Sequence, residues 1–590
     1  DYPDDVEAKA FLALQIWLNS SHDMPISSHQ AVDALLGDVF AVEPRHPAHH
    51  YRIHLWDGEK PARALGSAAL CGQSAPGIAH MWHMSGHIFS RLERYADAAW
   101  QQEASARVDH AQMIRDRVLP DQIHNYAHNN DWLIQNLSYI GRVHDAIELA
   151  KNMVELPRHP RYNTLGRQNS ARMGRSRLFE VLVMYELWDE LIALSQTSYL
   201  EATDIQDEQV KRSRALGTAY LVKGDLEKGR VEIASLSEML SKEKAEQQAA
   251  GDAAEAKARE EKKPDDQAAK AKADAVQGHA GRVASVERAL AELHGHWALA
   301  GGDHATALSH FEKAGLGKEA LSRVYLKSGE VAKAEQLARE AVDQGQNKVY
   351  PLANLVEVLD GCGKAGEAAD TFRKLQAISA HIDMQAPIFE RLTAVAPRLG
   401  LPAEWRLPEA LAADIGQRPE LDSLGPLRWQ PAPAPDWTLS DPAGKSVSLA
   451  QYHGKPVVLI FYLGFGCVHC VEQLNAFSPM TAEFAEAGID ILAISSDKPD
   501  VLSDALAARQ QSGGPPLSIP IVSDADLSAF KAYRAYDDFE NMPLHATFLI
   551  DAEGLVRWHD ISYQPFTDTR FLLGESKRLL STPTGGHGRP

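Results

Sequence analysis

The chain has 590 residues, of which 44% are hydrophobic and 24% are charged, an ordinary composition for a globular protein. This length predicts two to four domains, because a single hydrophobic core does not grow to such a size. The net charge of −20, from 80 acidic and 60 basic residues, argues against nucleic acid as a partner, since phosphate binding requires a basic surface. No apolar run reaches the roughly 18 residues needed to cross a bilayer, so we predict no membrane span.

The sequence starts at Asp1, without a charged and then apolar leader. This start predicts an exported protein, periplasmic or secreted, whose leader has been removed, and a cytoplasmic protein is the alternative. Four cysteines are too few for a fold held together by disulfides. Cys467 and Cys470 form a close pair that is typical of a functional dithiol, whereas Cys71 and Cys362 are isolated thiols.

Residues 1–400 have the apolar spacing of helices, with little strand-like alternation. A short phrase recurs there, in which a turn glycine is followed five positions later by Ala or Gly and an apolar helix. It resembles the turn inside a tetratricopeptide repeat, although the spacing scatters around the roughly 34-residue period of that repeat. We predict an all-α tetratricopeptide-like solenoid, with an irregular helical domain as the alternative. The turn glycines are Gly141, Gly224, Gly302, Gly329 and Gly363.

Composition changes twice along the chain. Residues 242–275 are almost entirely Ala, Glu, Lys, Asp and Gln, which predicts an exposed helical hairpin tip or a mobile insertion. Residues 401–428 are rich in proline and predict a connector at which the helices end. Residues 429–580 then have a β/α pattern, before a predicted flexible tail at 581–590. Three apolar runs predict buried parallel strands: Val457–Tyr462, Ile489–Ile494 and Ala546–Ile550.

The cysteine pair follows the first of these strands and begins a helix. Backbone N–H groups at a helix N-terminus stabilise a thiolate, and Cys470 lies one turn beyond Cys467, close enough to form a disulfide. His469 between them can add positive charge or a hydrogen bond. A zinc half-site is the alternative, although no second ligand pair follows in this domain. We predict a redox dithiol in which Cys467 attacks and Cys470 resolves.

Three segments around the dithiol carry a family resemblance: Ala-Pro-Asp-Trp-Thr-Leu-Ser-Asp at 434–441, Gly-Lys-Pro-Val-Val at 454–458, and Ala-Thr-Phe-Leu-Ile-Asp-Ala-Glu-Gly at 546–554. Together they resemble the superfamily of peroxiredoxins and thiol–disulfide reductases, which includes the AhpC/TSA and TlpA-like families. The resemblance implies a thioredoxin fold over residues 429–580 and a thiol-dependent oxidoreductase activity.

Two features depart from that superfamily. Residues 463–467 lack the Pro and Thr that position the cysteine in typical peroxiredoxins, and also the Trp that commonly precedes a thioredoxin-type pair. His545 stands where thioredoxins place a cis-proline and peroxiredoxins often place an arginine. Peroxide reduction and disulfide exchange therefore both remain open. The predicted catalytic residues are Cys467, Cys470, His469 and His545.

Histidine is concentrated near the N-terminus, where 14 of the 25 precede residue 170 and ten lie between residues 46 and 128. Three pairs have a spacing of four, so each pair shares one helix face. Such a pair can chelate a metal ion, and two packed helices supply three or four ligands. A hydrogen-bonded polar core with Asn125, Asn129, Asn130 and Asp57 is the alternative. The pairs are His50 and His54, His83 and His87, and His124 and His128.

These histidines lie in phrases such as His50-Tyr51-Arg52-Ile53-His54 and His83-Met84-Ser85-Gly86-His87. The phrases resemble an uncharacterised group of bacterial tetratricopeptide-repeat proteins, and the resemblance implies that the histidines belong to one constellation. We predict a transition metal, either copper, iron or zinc, bound by some of His50, His54, His83, His87, His128 and His124.

The predicted protein is a multidomain thiol-dependent oxidoreductase whose C-x-x-C dithiol is coupled to this metal site. It requires a protein or a small thiol as redox partner. One alternative is a helical-repeat binding protein that recruits a protein client for its redoxin domain. A metal-trafficking protein, in which the dithiol and the histidines are both ligands, is the other alternative.

Overall fold

The computed structural model describes residues 4–123, 125–511, 513 and 516–581. The chain divides into two compact units. The first comprises residues 1–109, 125–154 and 165–427, and the second comprises residues 110–124, 155–164 and 428–590. Two short segments from the predicted helical domain therefore belong to the same unit as the C-terminal region.

The part of the chain before residue 400 is helical, as its apolar spacing predicts. The helices are α1 (Val6–Ser20), α2 (His29–Val42), α3 (His49–Trp56), α4 (Leu65–Ala68), α5 (Cys71–Ser74), α6 (Ala79–Arg91), α7 (Tyr95–Asp116), α8 (Tyr126–Tyr139), α9 (Val143–Glu155), α10 (Ser170–Met184), α11 (Trp188–Leu194), α12 (Gln206–Val222), α13 (Leu226–Glu260), α14 (Asp265–Ala300), α15 (His304–Ala314), α16 (Lys318–Lys327), α17 (Val331–Gln344), α18 (Val349–Gly361), α19 (Ala365–Gln376) and α20 (Pro387–Val395).

Each predicted turn glycine lies between two consecutive helices. The five φ angles range from +72° at Gly363 to +82° at Gly329, the left-handed region that glycine enters without a steric penalty. The turns therefore form as the recurring phrase predicts. The assignment of the helices to tetratricopeptide repeats stays a prediction.

The charged segment at 242–275 forms the distal part of a helical hairpin made by α13 and α14. The two helices run antiparallel, since Glu243 pairs with Arg282 and Asp252 pairs with Lys272. Pro264 precedes the first residue of α14, a position where a missing backbone N–H costs no helical hydrogen bond. Of the two predictions for this segment, a helical hairpin tip or a mobile insertion, the structure has the helical hairpin.

A hydrophobic core near the N-terminus positions the histidine-bearing helices. Ile53 and Trp56 of α3 pack in one buried cluster with Met84, Ile88 and Phe89 of α6. Because side chains three or four positions apart share a helix face, this packing holds α3 and α6 in a defined rotation about their axes. The histidines of these helices consequently occupy defined directions too.

The second unit contains a seven-stranded sheet and a short two-stranded pair. The strands are β1 (Thr438–Ser440), β2 (Ser446–Ser448), β3 (Val457–Tyr462), β4 (Asp490–Ser495), β5 (Ile521–Ser523), β6 (Tyr536–Asp537), β7 (Met542–Pro543), β8 (His545–Ile550) and β9 (Val556–Ser562). The order in the large sheet is β2-β1-β5-β4-β3-β8-β9, and β6 pairs with β7. Two of the three predicted strands, β3 and β4, are parallel, and β5 continues the parallel arrangement.

The prediction of a third parallel strand at residues 546–550 was wrong, because β8 is antiparallel to β3. An apolar run identifies a buried strand but carries no information about its direction. Here β8 pairs with the other edge of β3 and returns through a short turn into β9, its antiparallel neighbour. This arrangement places His545, the first residue of β8, beside the C-terminal end of β3.

Helices cover the sheet, and buried apolar clusters lie on both of its faces. The helices of this region are α21 (Val468–Phe477), α22 (Thr481–Glu486), α23 (Pro499–Gln511), α24 (Ser528–Ala532) and α25 (Thr569–Ser581). The predicted fold class, an α-helical region followed by an α/β thioredoxin-fold domain, is confirmed at this level. The predicted tail lies outside the described residues except for Ser581.

Within the described part of the chain, no helix combines the length and the apolar character needed to cross a membrane.

Candidate dithiol and histidine sites

The dithiol lies where β3 ends and α21 begins. All six residues of β3 are buried, so the strand is fixed in the core up to Tyr462. Cys467 is the N-cap of α21, with extended backbone angles, and its Sγ accepts the N–H of Cys470 at 3.3 Å. The sulfur therefore lies at the positive end of the helix dipole.

The two cysteines differ in their surroundings. Cys467 is partly exposed, whereas Cys470 is fully buried. The Sγ of Cys470 accepts the N–H of Leu463 at 3.2 Å. Burial nevertheless raises the pKa of the Cys470 thiol, with the neighbouring Cys467 adding to the effect. Cys467 is therefore the cysteine that is accessible from solvent, and Cys470 is shielded from solvent.

His545 brings an imidazole against both sulfurs. Its Nε2 lies 3.6 Å from Sγ of Cys467 and 3.2 Å from Sγ of Cys470. Its Nδ1 lies 3.0 Å from the carbonyl oxygen of Tyr563, which accepts a hydrogen only if Nδ1 is protonated. Burial lowers the pKa of His545 below its ordinary 6.5, so the neutral ring presents an Nε2 lone pair to the thiols.

His469 was predicted to add positive charge or a hydrogen bond to the dithiol. In the structure its side chain is 61% exposed, and its Nδ1 lies 3.0 Å from Oε2 of Glu472 on the next turn. The close trio is instead Cys467, Cys470 and His545, whose ligand atoms all lie within 4.8 Å of one another. This trio can exchange protons, and it also has the donor atoms of a three-ligand metal site.

The first histidine group contains His50 and His54 of α3 and His80 of α6, with ligand atoms within 4.8 Å of one another. The ring of His50 lies 4.6 Å from that of His54 and 4.9 Å from that of His80, between centroids. Burial and the neighbouring histidines lower the pKa of His50 to about 3 and that of His54 to about 4. Both rings are neutral near pH 7.

The second group contains His83 and His87 of α6 and His128 of α8. Nε2 of His83 and Nε2 of His87 are only 2.8 Å apart. Burial lowers the pKa of His83 well below its ordinary value, and burial also lowers that of His128. The rings of His83 and His128 are 5.0 Å apart.

The structure places five of the six predicted ligands in these two groups: His50, His54, His83, His87 and His128. His124 lies outside the described residues. His80 was absent from the predicted ligand set although it lies three positions before His83 on one helix. This spacing of three, which places both side chains on one helix face, could have identified His80 as a ligand from the sequence.

Other nearby histidines have structural partners. His49 lies 2.9 Å from both the hydroxyl of Ser67 and the carbonyl oxygen of Pro44, and His46 accepts the N–H of Ala48. Of the polar partners considered for the clustered rings, Asn129 donates to Asp109 and Asn130 donates to the carbonyl of Tyr126. Asp57 does lie beside a clustered ring, with its Oδ2 3.4 Å from Nδ1 of His87.

Comparisons with known proteins identify the C-terminal region. The AhpC/TSA family profile matches residues 431–559. The "Putative peroxiredoxin MT2597" of Mycobacterium tuberculosis is 32% identical over 129 residues, which are 21% of this chain and 78% of that relative. Peroxiredoxin-2 of Rattus norvegicus is 35% identical over 130 residues, 21% of this chain and 65% of its own length. Among solved structures, the 2-Cys peroxiredoxin of Plasmodium vivax has 22% identity and a TM-score of 0.23, covering 25% of this chain and 93% of its own.

Proposed function

Because the chain belongs to the AhpC/TSA family through its C-terminal region, we propose that it reduces hydroperoxides with Cys467 as the nucleophile. One observation carries the proposal: an accessible cysteine at a helix N-terminus shares a neutral imidazole with a buried second cysteine. This arrangement supplies a nucleophile, a base and a resolving thiol within one small site.

In the first step, Nε2 of His545 accepts the proton of the Cys467 thiol, which lies 3.6 Å away. The thiolate attacks the outer oxygen of the hydroperoxide, so an S–O bond forms and the O–O bond breaks. The proton on His545 then passes to the leaving alkoxide, which departs as an alcohol, or as water from hydrogen peroxide. Cys467 is oxidised by two electrons to a sulfenic acid.

In the second step, the Cys470 sulfur attacks the sulfur of the Cys467 sulfenic acid. An S–S bond forms, the S–O bond breaks, and the hydroxyl leaves as water with the proton of the Cys470 thiol. His545 is well placed to accept that proton first, since its Nε2 is 3.2 Å from Sγ of Cys470. Two molecules of an external thiol, which are joined as a disulfide, or one reduced protein dithiol then return two electrons, and the cycle restarts.

Stopped-flow and mass spectrometry of the full-length chain test this sequence. Mixed with hydrogen peroxide, the reduced protein should form one intramolecular Cys467–Cys470 disulfide and consume one peroxide per chain. A Cys470→Ser variant should stop at the sulfenic acid, which dimedone traps as an adduct on Cys467. Full peroxide consumption by a Cys467→Ser variant would overturn the proposal.

Disulfide exchange with a protein substrate is the second candidate. Two cysteines one helical turn apart are the spacing of dithiol oxidoreductases, and Val468 beside the nucleophile is 70% exposed, as suits contact with another polypeptide. The two candidates separate in a competition between hydrogen peroxide and a disulfide-bonded protein such as insulin. Faster oxidation of the dithiol by the protein disulfide would favour exchange, and faster oxidation by peroxide would favour peroxide reduction.

A further inference from the structure

We propose that the six histidines of α3, α6 and α8 form a centre for two copper ions, each held by three imidazoles. One ion would be bound by His50, His54 and His80, and the other by His83, His87 and His128. The proposal concerns the helical unit alone and does not depend on the proposed peroxide chemistry of the dithiol.

The second group gives the strongest support for a bound metal ion, because the hydrogen-bond donors and acceptors around its rings do not match. Nδ1 of His83 lies 2.7 Å from Oε1 of Gln102, so this nitrogen carries the hydrogen and Nε2 is left as a lone pair. That lone pair faces Nε2 of His87 at 2.8 Å. On its other side His87 presents Nδ1 to Oδ2 of Asp57 at 3.4 Å.

No neutral form of His87 satisfies both sides. A hydrogen on Nδ1 suits Asp57 but leaves two lone pairs facing each other at 2.8 Å, and a hydrogen on Nε2 leaves a lone pair facing the carboxylate. A metal ion between the two rings, bound through both Nε2 lone pairs, removes the conflict. His128 converges on the same two rings as a third ligand. The three-ring geometry favours the metal ion.

The outer contacts have the form expected around metal ligands. A ligating histidine usually gives its other N–H to a carbonyl or carboxylate, which fixes the ring and its tautomer. Gln102 does this for His83, and its amide also donates to the His83 carbonyl at 3.2 Å. Gly86 permits this close approach, since a Cβ there would collide with the Gln102 side chain. The Asp57 carboxylate lies near the corresponding nitrogen of His87, with Oδ2 3.4 Å from Nδ1.

The first group has the corresponding features. Nε2 of His50 is buried and has no hydrogen-bond partner among the described residues, a costly state for a nitrogen that nothing binds. The ring of His54 stacks on Trp17 at 4.3 Å, as the ring of His87 stacks on Trp132 at 4.3 Å. Each group thus has one ring held flat against an indole.

The two groups are adjacent, because His80 and His83 lie on the same helix with ring centroids 5.9 Å apart. Three imidazoles per ion leave a coordination position open, as in catalytic metal sites. The donors are all nitrogen, and imidazole sites bind copper more tightly than the other divalent first-row metals, including zinc and iron. Neither group includes a carboxylate, the type of ligand that favours magnesium, calcium or manganese.

The test uses the full chain with Cys467 alkylated, so that the dithiol and His545 do not supply a third three-ligand site. The protein is stripped with a chelator, titrated with copper or zinc and measured by elemental analysis after desalting. We expect two copper ions per chain. A His83→Ala, His87→Ala double variant and a His50→Ala, His54→Ala double variant should each retain one. A His294→Ala, His310→Ala variant is the matched control, because these rings also lie close together, at 5.4 Å, outside both groups, and it should retain two.

Circular dichroism shows whether each variant folds. Where a ligand variant does not, Gln102→Leu provides the test, since it keeps all six ligands and should weaken copper binding while leaving two sites. Zinc retained in the presence of equimolar copper would overturn the choice of copper. Absence of stoichiometric metal in the folded wild-type chain would overturn the centre.

Discussion

The dithiol and the histidine groups both place neutral imidazoles beside other ligand atoms, but the protein holds them in different ways. At the dithiol, backbone groups fix the geometry: the N–H groups of Leu463 and Cys470 contact the sulfurs, and the Tyr563 carbonyl orients His545. At the histidines, side chains such as Gln102 and Asp57 perform this role. The cysteine pair of the first site depends on local chain geometry, whereas the histidine groups depend on the packing of three helices.

The largest expected effect separates the two sites. Cys467→Ser should lower the rate of peroxide-dependent thiol oxidation by about three orders of magnitude or more, because removal of a nucleophile leaves only residual catalysis. The same variant should bind copper with unchanged stoichiometry. Peroxidase assays and elemental analysis on one preparation check both. Cys362→Ser, at another partly exposed thiol, is the control and should retain the wild-type rate.

His545 tests the role of the imidazole at the dithiol. His545→Gln should slow the reaction about 10²-fold or more at pH 7, the usual contribution of a general base. Since burial lowers the pKa of His545 below 6.5, the ring stays neutral at pH 7 and the wild-type rate should fall only as the pH drops through that lower pKa. The variant should lose this acid limb in a pH–rate profile.

His469→Gln is the matched control for that experiment. Its ring is largely exposed and lies beside Glu472, so the pH–rate profile should keep its acid limb. A loss of the limb in the His469 variant, and not in the His545 variant, would reverse the roles of the two histidines at the dithiol.

Asp57 tests the side-chain support of the histidine groups. Asp57→Asn should weaken copper binding about 10- to 100-fold, the usual cost of losing an outer partner of a metal ligand, and leave the number of sites unchanged. A competition titration against a chelator of known affinity measures this. Asp33→Asn is the control, because Asp33 is bonded to Arg52 and Trp56 instead of a histidine. Equal weakening in both variants would attribute the effect to general destabilisation.

The smallest effects concern the stacked indoles. Copper at the second group should quench the fluorescence of Trp132, and copper at the first group should quench that of Trp17, because each indole stacks on a ligand ring. Trp132→Phe and Trp17→Phe should each remove part of the quenching while both ions remain bound. Quenching that is unchanged in both variants would place the copper away from these rings.

Much of the fold follows from local patterns. Apolar spacing and turn glycines predicted the helices, and the hairpins form at those glycines because a left-handed φ suits glycine. The cysteine pair was predicted as a redox centre from the strand before it and the helix after it, since backbone N–H groups at a helix start are a property of the local chain. The apolar runs at β3 and β4 likewise predicted neighbouring parallel strands.

Only the tertiary structure decided the features that join distant segments. The direction of β8 depends on which edge of β3 it pairs with, and an apolar run is the same in either direction. The contact of His545 with both sulfurs spans 78 and 75 positions of sequence. A spacing of four showed that His83 and His87 share a face, but their division from His50, His54 and His80 into two groups required the packing of α3, α6 and α8. Periodicity determines the face of a helix, and only packing determines what that face meets.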